Sequence, residues 1–264
     1  MNFLMAENAR MAKTIGIVEV HGNSFALPSA SMPRSLEGRR FGGRSLLEWV
    51  VRRVSESQFL DEVVVVCDRD ARGRSIGDLA PPNVQVHAVK QNDPLALFAS
   101  AAKKFSADAV VRVCLENPFV DPGLIDRLVT TAKANPGCDY VSYCSSDGRP
   151  ALQSKMGLFA EWCRADAIYY AARDAESPAD RHDVTRYIYS HPELFQLRLI
   201  PVPTRLDRSD VRLAIQVEED WDHAQSILEA LPHEEIDWQS IAGLLDHQPA
   251  MRERMADLNR SETT

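Results

Sequence analysis

The carboxylate of Glu116 stands at the point where an apolar run ends in a polar loop. The run at residues 110–113 is β-branched, which is typical of a strand buried inside a parallel sheet, and Pro118 ends it. In open α/β sheets, ligands bind just beyond the carboxyl ends of the strands. Glu116 is therefore a candidate contact for a metal ion or a sugar nucleotide. The alternative is a solvent-exposed loop acid, which is what most loop carboxylates are.

Two patterns alternate from residue 14 to residue 133 and would position this carboxylate. Continuous apolar or β-branched runs predict strands at residues 14–20, 61–67, 83–89 and 109–113. Apolar residues at helical spacing, with Ser45, Asp93 and Asp121 as N-caps, predict helices at residues 45–54, 93–104 and 122–133. The repetition predicts an α/β fold with a mostly parallel central sheet flanked by helices.

Beyond residue 135 the pattern becomes mixed. Strands are predicted at residues 139–144, 195–201 and 210–217, and helices at residues 159–175, 180–189 and 218–228. We expect a flexible segment over residues 1–13 and one domain over residues 14–235, with a small mixed subregion at about 139–203. A C-terminal helical tail is expected over residues 236–264, with a polar end from residue 251 that frays.

The loop after the first predicted strand, residues 21–28, carries small residues that let a backbone approach a ligand closely. His21, Gly22 and Ser24 are candidate contacts for a nucleotide in this loop. The glycine pattern G-x-G-x-x-G of dinucleotide-binding loops is absent from it, which disfavours an ordinary NAD site.

The composition and net charge of the chain exclude some classes of function. The chain has 264 residues, 45% of them hydrophobic, which is ample for a folded core. Its formal net charge of -8 argues against nonspecific binding to nucleic acid or to an anionic membrane. The apolar stretch in residues 1–13 is too short for a signal peptide. No apolar run in the sequence approaches the roughly 20 residues of a membrane helix. We therefore expect a cytoplasmic protein that binds neither nucleic acid nor membrane.

The cysteines favour reduced thiols over a metal site. Cys67, Cys114, Cys138, Cys144 and Cys163 show no C-x-x-C spacing. The last three could meet in space as metal ligands, but no histidines at suitable spacing accompany them. We expect no zinc site.

Six motifs in a fixed order give the chain a resemblance to a known family. They lie at residues 43–54, 61–66, 93–95, 112–122, 181–188 and 212–220. In this order they resemble the cytidylyltransferases that activate acidic sugars, such as the acylneuraminate and KDO cytidylyltransferases, and in particular the spore-coat polysaccharide biosynthesis branch. The resemblance spans roughly residues 15–231.

The resemblance implies a fold and an activity. The fold is that of the nucleotide-diphospho-sugar transferases, which is Rossmann-like. The activity is transfer of a nucleotide from a nucleoside triphosphate, usually CTP, to a sugar hydroxyl, with release of pyrophosphate, in polysaccharide or glycoconjugate biosynthesis. Magnesium is the implied cofactor. A homodimer is also implied, and the many aromatic residues between 139 and 203 fit such an interface.

The same resemblance assigns roles to individual residues. Glu116 stands where the family has its first metal-binding acid, and Gln216 stands where it has the second. Arg112 and Glu116 are then the expected catalytic residues, and Asp93 joins His21, Gly22 and Ser24 in binding the nucleotide. His182 and Thr185, predicted on one helical face, would contact the acceptor sugar.

Two departures from the family pattern point to altered chemistry. The Gln216 amide carries no negative charge, so the magnesium site is expected to be weakened. The first loop has no arginine or lysine between His21 and Met32, and Arg34, Arg39 or Arg40 would have to fold back to replace that charge. The alternative function is therefore a catalytically impaired homologue that binds a nucleotide or a partner protein.

Four of the singled-out side chains also have structural interpretations. Arg112 could simply pair with a neighbouring acid at the surface. His182 could be a helix-start histidine with a satisfied hydrogen bond. Trp49 and Trp162 are expected in the core and not as platforms for base stacking.

Overall fold

A seven-stranded sheet lies at the centre of the protein, in a computed structural model that describes residues 12–20, 36–68, 76–90, 92–146 and 148–261. The strands are β1 (Thr14–Val20), β2 (Arg40–Phe41), β3 (Arg44–Ser45), β4 (Glu62–Asp68), β5 (Gln85–Val89), β6 (Ala109–Cys114), β7 (Tyr140–Cys144), β8 (Glu161–Arg164) and β9 (Leu197–Pro201). β2 and β3 form a small hairpin, and the others form the sheet in the order β5-β4-β1-β6-β8-β7-β9. Of these strands only β8 runs antiparallel to its neighbours, so the predicted mostly parallel sheet is confirmed.

Helices cover both faces of the sheet. They are α1 (Leu46–Ser55), α2 (Ile76–Leu79), α3 (Pro94–Lys104), α4 (Pro122–Ala134), α5 (Ala165–Asp174), α6 (Pro178–His182), α7 (Arg186–Ser190), α8 (Glu218–Ala230), α9 (Trp238–Asp246) and α10 (Pro249–Ser261). The predicted N-caps are confirmed, because the side chains of Ser45, Asp93 and Asp121 each accept a hydrogen bond from the backbone three residues on. None of the helices in the described ranges is long and apolar enough to cross a membrane.

The core has two halves, one on each face of the sheet. Alternate side chains of β1 enter different halves, as the two-residue period of a strand requires. Ile15 and Ile17 pack with α3 and α5, whereas Val18 and Val20 pack with α1 and α4. Trp49 and Trp162 are both buried, so their predicted place in the core is confirmed.

The predicted helix at residues 159–175 is wrong in its first part. Residues 161–164 form β8, which fills the gap between β6 and β7, and α5 begins only at Ala165. Trp162 and Cys163 pair with β6 on one side and with β7 on the other, and these pairings favour the strand conformation. Pairing with two neighbouring strands therefore overrides the local helical pattern.

Two further predictions along the second half are corrected. Residues 180–189 form two short helices, α6 and α7, separated by residues 183–185. Residues 210–217 form no strand, because their backbone groups bond to loops and not to a strand. Instead, Leu213 N and Ala214 N donate to the carbonyl of Lys155 at 2.8 and 3.0 Å.

The C-terminal helices pack into the core on the α1 and α4 side. Met255 on α10 is fully buried, so the predicted fraying from residue 251 is wrong as far as Ser261. The buried guanidinium of Arg53 donates to Val120 O at 3.0 Å and to Ile236 O at 2.9 Å. The second carboxylate oxygen of Asp121 accepts from Trp238 N at 2.9 Å. The tail is thus bonded to the ends of α1 and α4.

Candidate functional site

The candidate site lies at the carboxyl ends of β1 and β6. These strands are parallel neighbours, with Glu19 beside Cys114, so their carboxyl ends lie at the same edge of the sheet. His21, Gly22 and Ser24, with Arg34, lie outside the described residues. The described part of the site is therefore the loop after β6 and the segments that contact it.

Glu116 is half-buried in a turn directly after β6. The turn is closed by a hydrogen bond from Asn117 N to Cys114 O at 3.1 Å. The carbonyl of Glu116 accepts from Ile215 N at 2.8 Å. Because Gln216 is the next residue, this bond places the two positions expected to bind metal on adjacent segments.

A buried ion pair fixes the segment that carries Gln216. The guanidinium of Arg212 donates to both carboxylate oxygens of Asp220, at 2.6 and 3.0 Å, and both side chains are almost fully buried. One of those oxygens also accepts from the backbone of Gln216 at 2.9 Å and of Val217 at 3.0 Å, at the start of α8. A bidentate pair of this kind holds its geometry tightly. The Gln216 backbone is therefore preorganised beside Glu116.

Lys155 enters the site from the loop between β7 and β8. Its Nζ donates a hydrogen bond to Oε1 of Gln216. Close packing holds the loop, since a Cβ on Gly157 would lie 2.5 Å from Ala214 N, and Gly157 has φ +65. Sequence reasoning missed Lys155, and no local pattern marks it, because only the folded loop brings it to Gln216.

The side-chain oxygens of Glu116 and Gln216 are the candidate ligands for a divalent ion at this site. Glu116 offers a carboxylate, and magnesium is often bound by one carboxylate together with substrate phosphates. The Oε1 of Gln216 already accepts from an ammonium group, so it does not fit as a second metal ligand. Within the described ranges, no group of three histidine, cysteine or acidic side chains converges as a metal site.

Arg112 lies in a buried network beneath the site. It is 4% exposed, and it donates to Glu19 at 3.0 Å, to Asp183 at 2.9 Å and to Thr185 at 3.3 Å. A carboxylate oxygen of Glu161 lies 3.5 Å away. Arg112 does pair with neighbouring acids, but the pairs are buried and not at the surface as expected. The guanidinium joins β1 and β6 to the break between α6 and α7.

Glu161 closes this network from β8. It accepts hydrogen bonds from Tyr140 and, at 2.7 Å, from the hydroxyl of Thr185. Burial raises the pKa of the Glu161 carboxyl, while the positive charge of Arg112 pulls the pKa down. The pKa of Glu161 therefore lies above its ordinary value.

The free energy of unfolding should consequently depend on whether the Glu161 carboxyl is protonated. A carboxyl whose folded pKa is raised contributes stability below its unfolded pKa of roughly 4.3, and this is lost as the pH rises through the folded pKa. As the pH rises from 4 to 8, the free energy of unfolding of Glu161→Gln should increase relative to that of the unsubstituted protein. Urea denaturation at both pH values measures this, with exposed Glu193→Gln as control. A difference that stays constant with pH would contradict it.

The structure separates His182 and Thr185, which were predicted on one helical face. His182 ends α6 and is exposed, whereas Thr185 precedes α7 and is 1% exposed. Thr185 is engaged with Arg112 and Glu161. The common helical face is wrong because residues 183–185 interrupt the helix, and of the two side chains only His182 is exposed to solvent.

Asp93 uses both carboxylate oxygens within the protein. One accepts from Ala96 N at 3.0 Å and caps α3, and the other accepts from Arg181 at 2.5 Å. Asp93 thus ties the start of α3 to the end of α6, next to His182.

The basic residues after the first loop are also engaged. Arg39 forms a bidentate pair with Glu218 at 2.6 Å and stacks on Trp221, with 3.8 Å to the ring centroid. Arg40 donates to the carbonyl of Gly43. Arg39 therefore anchors the hairpin region to α8, and its charge is balanced by a protein acid.

Similar sequences cover most of the chain. A family model described as cytidylyltransferase matches residues 39–253. An uncharacterised protein of Methanocaldococcus jannaschii is 28% identical over 241 residues, which are 91% of this chain and 93% of that protein. The spore coat polysaccharide biosynthesis protein SpsF of Bacillus subtilis is 26% identical over 232 residues, with coverages of 83% and 91%.

Solved structures share the fold. A cytidylyltransferase from Leptospira borgpetersenii superposes with a TM-score of 0.77 at 20% identity, over 91% of this chain and 96% of that one. A CMP-2-keto-3-deoxy-manno-octonic acid synthetase complexed with CTP gives 0.61 at 10% identity, over 83% and 99%. The Rv0371c protein of Mycobacterium tuberculosis, in complex with manganese, gives 0.54 at 14% identity, over 81% and 99%.

Proposed function

The chain belongs to the cytidylyltransferase family, and we propose that it transfers a cytidylyl group from CTP to a sugar hydroxyl with release of pyrophosphate. The product would serve polysaccharide or glycoconjugate biosynthesis, as the name of the Bacillus subtilis relative suggests. The observation that supports the proposal is the hydrogen bond from Ile215 N to the carbonyl of Glu116, which brings together the segments that carry Glu116 and Gln216, the two residues that the sequence resemblance assigns to the metal.

Glu116 is the proposed metal-binding and catalytic residue. Its carboxylate would hold a magnesium ion together with triphosphate oxygens. Such an ion supplies Lewis-acid stabilisation of the negative charge on the reacting phosphates. Gln216 does not share this role, because its side-chain oxygen accepts from Lys155.

The other candidate residues divide into positioning groups and contacts. The side chains of Arg112, Asp93 and Thr185 bond to other protein groups, so we assign them to holding β6, α3 and α7 in place at the candidate site. His182 is exposed next to this framework and is the proposed contact for the acceptor sugar. His21, Gly22 and Ser24 are the proposed nucleotide contacts of the first loop.

A pyrophosphate-release assay tests the activity. The full-length protein is incubated with magnesium, each of the four common nucleoside triphosphates, and a panel of acidic and amino sugars. We expect pyrophosphate release with CTP and at least one acidic sugar. Isothermal titration of the same four triphosphates identifies the nucleotide without an acceptor, and we expect CTP to bind most tightly.

The catalytically impaired homologue is the second candidate. It is favoured by the neutral amide of Gln216 and by the lack of arginine and lysine between His21 and Met32 in the sequence. Nucleotide binding without pyrophosphate release for any triphosphate and sugar would establish it in place of the enzyme.

A homodimer is the proposed assembly. β9 is an edge strand of the sheet, and Leu199 on it is 39% exposed, close in sequence to Leu194 at 49%. Apolar side chains at an open edge are typical of an interface. Light scattering at micromolar concentration should give twice the chain mass of 29.5 kDa, and Leu199→Glu should shift it toward a monomer. A monomer in the unsubstituted protein would overturn the assignment.

A further inference from the structure

A cavity of about 390 Å³ lies between α1 and the segment that leads into β5. Three arginines line it, Arg44, Arg52 and Arg53, together with the acid Glu56. Its volume falls within the range of small-molecule sites. None of the residues that line it is a candidate metal, nucleotide or sugar contact of the site described above. We propose that this cavity is a second ligand site, which binds a compact phosphate-bearing anion.

Two of the arginines share a single acid. The Nε atoms of Arg44 and Arg52 lie 3.6 and 2.8 Å from the same carboxylate oxygen of Glu48. The two guanidinium groups are therefore close together, and one carboxylate balances only one of their two positive charges. Both side chains are exposed, so they can reorient toward a ligand in the cavity.

Arg53 brings a buried cation to the same cavity. Its Nε and Nη2 donate to the backbone carbonyls of Val120 and Ile236, which carry no charge. Within the described ranges, no carboxylate pairs with this guanidinium and Nη1 donates no hydrogen bond. Burial lowers the pKa of Arg53, and the negative charge of nearby acids opposes that shift without cancelling it. An anion in the cavity would supply the opposite charge that a buried cation requires.

Hydrogen bonds hold the wall of the cavity in place. The guanidinium of Arg53 is bonded to the loop after β6 and to the segment before α9. The indole Nε1 of Trp49, which also lines the cavity, donates to Pro118 O at 2.7 Å. A wall that is already ordered loses little entropy when a ligand binds. The same bonds join the cavity to the loop that carries Glu116.

The number of guanidinium groups favours a phosphate over a carboxylate. A carboxylate has two oxygens, and a single planar guanidinium can bond to both. A phosphate group carries a charge of about -1.5 to -2 at neutral pH and offers three oxygens, so it can accept from several arginines at once. The carboxylate of Glu56 would repel such an anion, so its removal should tighten binding.

Isothermal titration of inorganic phosphate into the full-length protein, in EDTA and at fixed ionic strength, tests the proposal. We expect phosphate to bind, and acetate to bind at least about tenfold more weakly. Arg44→Gln combined with Arg52→Gln should weaken phosphate binding about tenfold or more, the scale of lost charge-assisted hydrogen bonds. The matched control is Arg173→Gln, which removes an exposed, acid-paired arginine on α5 at the other face of the sheet. The control should leave the affinity unchanged.

Glu56→Gln tests the sign of the charge effect. It should tighten phosphate binding by about twofold to fivefold, the range expected for one exposed charge. A purely structural role of the arginines would not produce this gain. Thermal unfolding of each variant confirms that it is folded.

Four results would overturn the second site. They are no phosphate binding by the unsubstituted protein, phosphate binding within about twofold of it in the double arginine variant, acetate binding as tight as that of phosphate, and no gain in affinity in Glu56→Gln. Phosphate held elsewhere in the protein would give the second of these results. None of these titrations contains a nucleotide or a sugar, so they leave the proposed function untouched.

Discussion

Replacing Arg112 with methionine should lower the free energy of unfolding by about 3–5 kcal/mol, the usual result of removing one partner from a buried ion pair. The substitution keeps an apolar side chain of similar length but leaves Glu19, Glu161 and Asp183 without their shared cation. Urea denaturation at pH 8 measures the loss. The loss should be smaller at pH 5, because carboxylates left without a cation can take up protons.

Arg127→Met is the matched control for this experiment. Arg127 is an exposed arginine on α4, and surface substitutions of this kind usually change stability by no more than about 0.5 kcal/mol. Arg112→Lys should lie between the two, since it keeps the charge but loses the fork geometry. A change below about 1 kcal/mol in Arg112→Met would show that the network does not hold β1, β6 and α7 together.

Replacing Glu116 with alanine should abolish magnesium-dependent CTP binding and lower pyrophosphate release by roughly 100-fold or more, the scale seen when one preorganised electrostatic contact is removed. The fold should survive, because Ile215 bonds to the backbone carbonyl of Glu116 and not to its side chain. Titration of magnesium with and without CTP, followed by initial rates, measures both effects.

Two variants bracket this result. Glu116→Asp keeps the carboxylate and has the shorter acid of the family, so it should retain activity. Glu193→Ala removes an exposed acid far along the chain and should have no effect. Unchanged magnesium dependence in Glu116→Ala would make Glu116 an ordinary loop acid.

The parallel half of the sheet could be predicted from sequence because its strands are local patterns. β1 begins and ends where the apolar run does, and β4 is displaced by one residue from its prediction. The caps at Ser45, Asp93 and Asp121 are likewise local, since each side chain bonds to a backbone group three residues away. Where an element is determined by residues close together in the chain, it can be predicted from the local sequence.

The secondary structure of the second half of the chain depends on hydrogen-bond partners that are distant in sequence, so it was predicted less well. The residues of β8 have no strand pattern of their own and pair with strands on either side. Residues 210–217 look like a strand, but their backbone bonds to the carbonyls of Lys155 and Glu116. In both segments the conformation follows from which neighbour offers the hydrogen-bond partner.

The same distinction applies to the candidate site. The ordered motifs predicted Glu116 and Gln216, and the structure places them on adjacent segments. Lys155 could not be predicted, because its side chain meets Gln216 only after the loop before β8 has packed against residues 213 and 214. The separation of His182 from Thr185 was also hidden, since the helix is interrupted where Asp183 pairs with Arg112.

The bond from Arg53 to Ile236 has a consequence for folding during synthesis. Helix α1 leaves the ribosome early, but its buried guanidinium lacks the Ile236 acceptor until residue 236 emerges. The second carboxylate oxygen of Asp121, at the start of α4, likewise lacks its Trp238 donor until residue 238 emerges. A nascent chain that stops before these residues leaves the apolar face of α1 and α4 uncovered, because Ile236, Ile241 and Met255 belong to the same half of the core. The sheet can therefore assemble on the ribosome, but its α1 and α4 face is completed only near the end of translation.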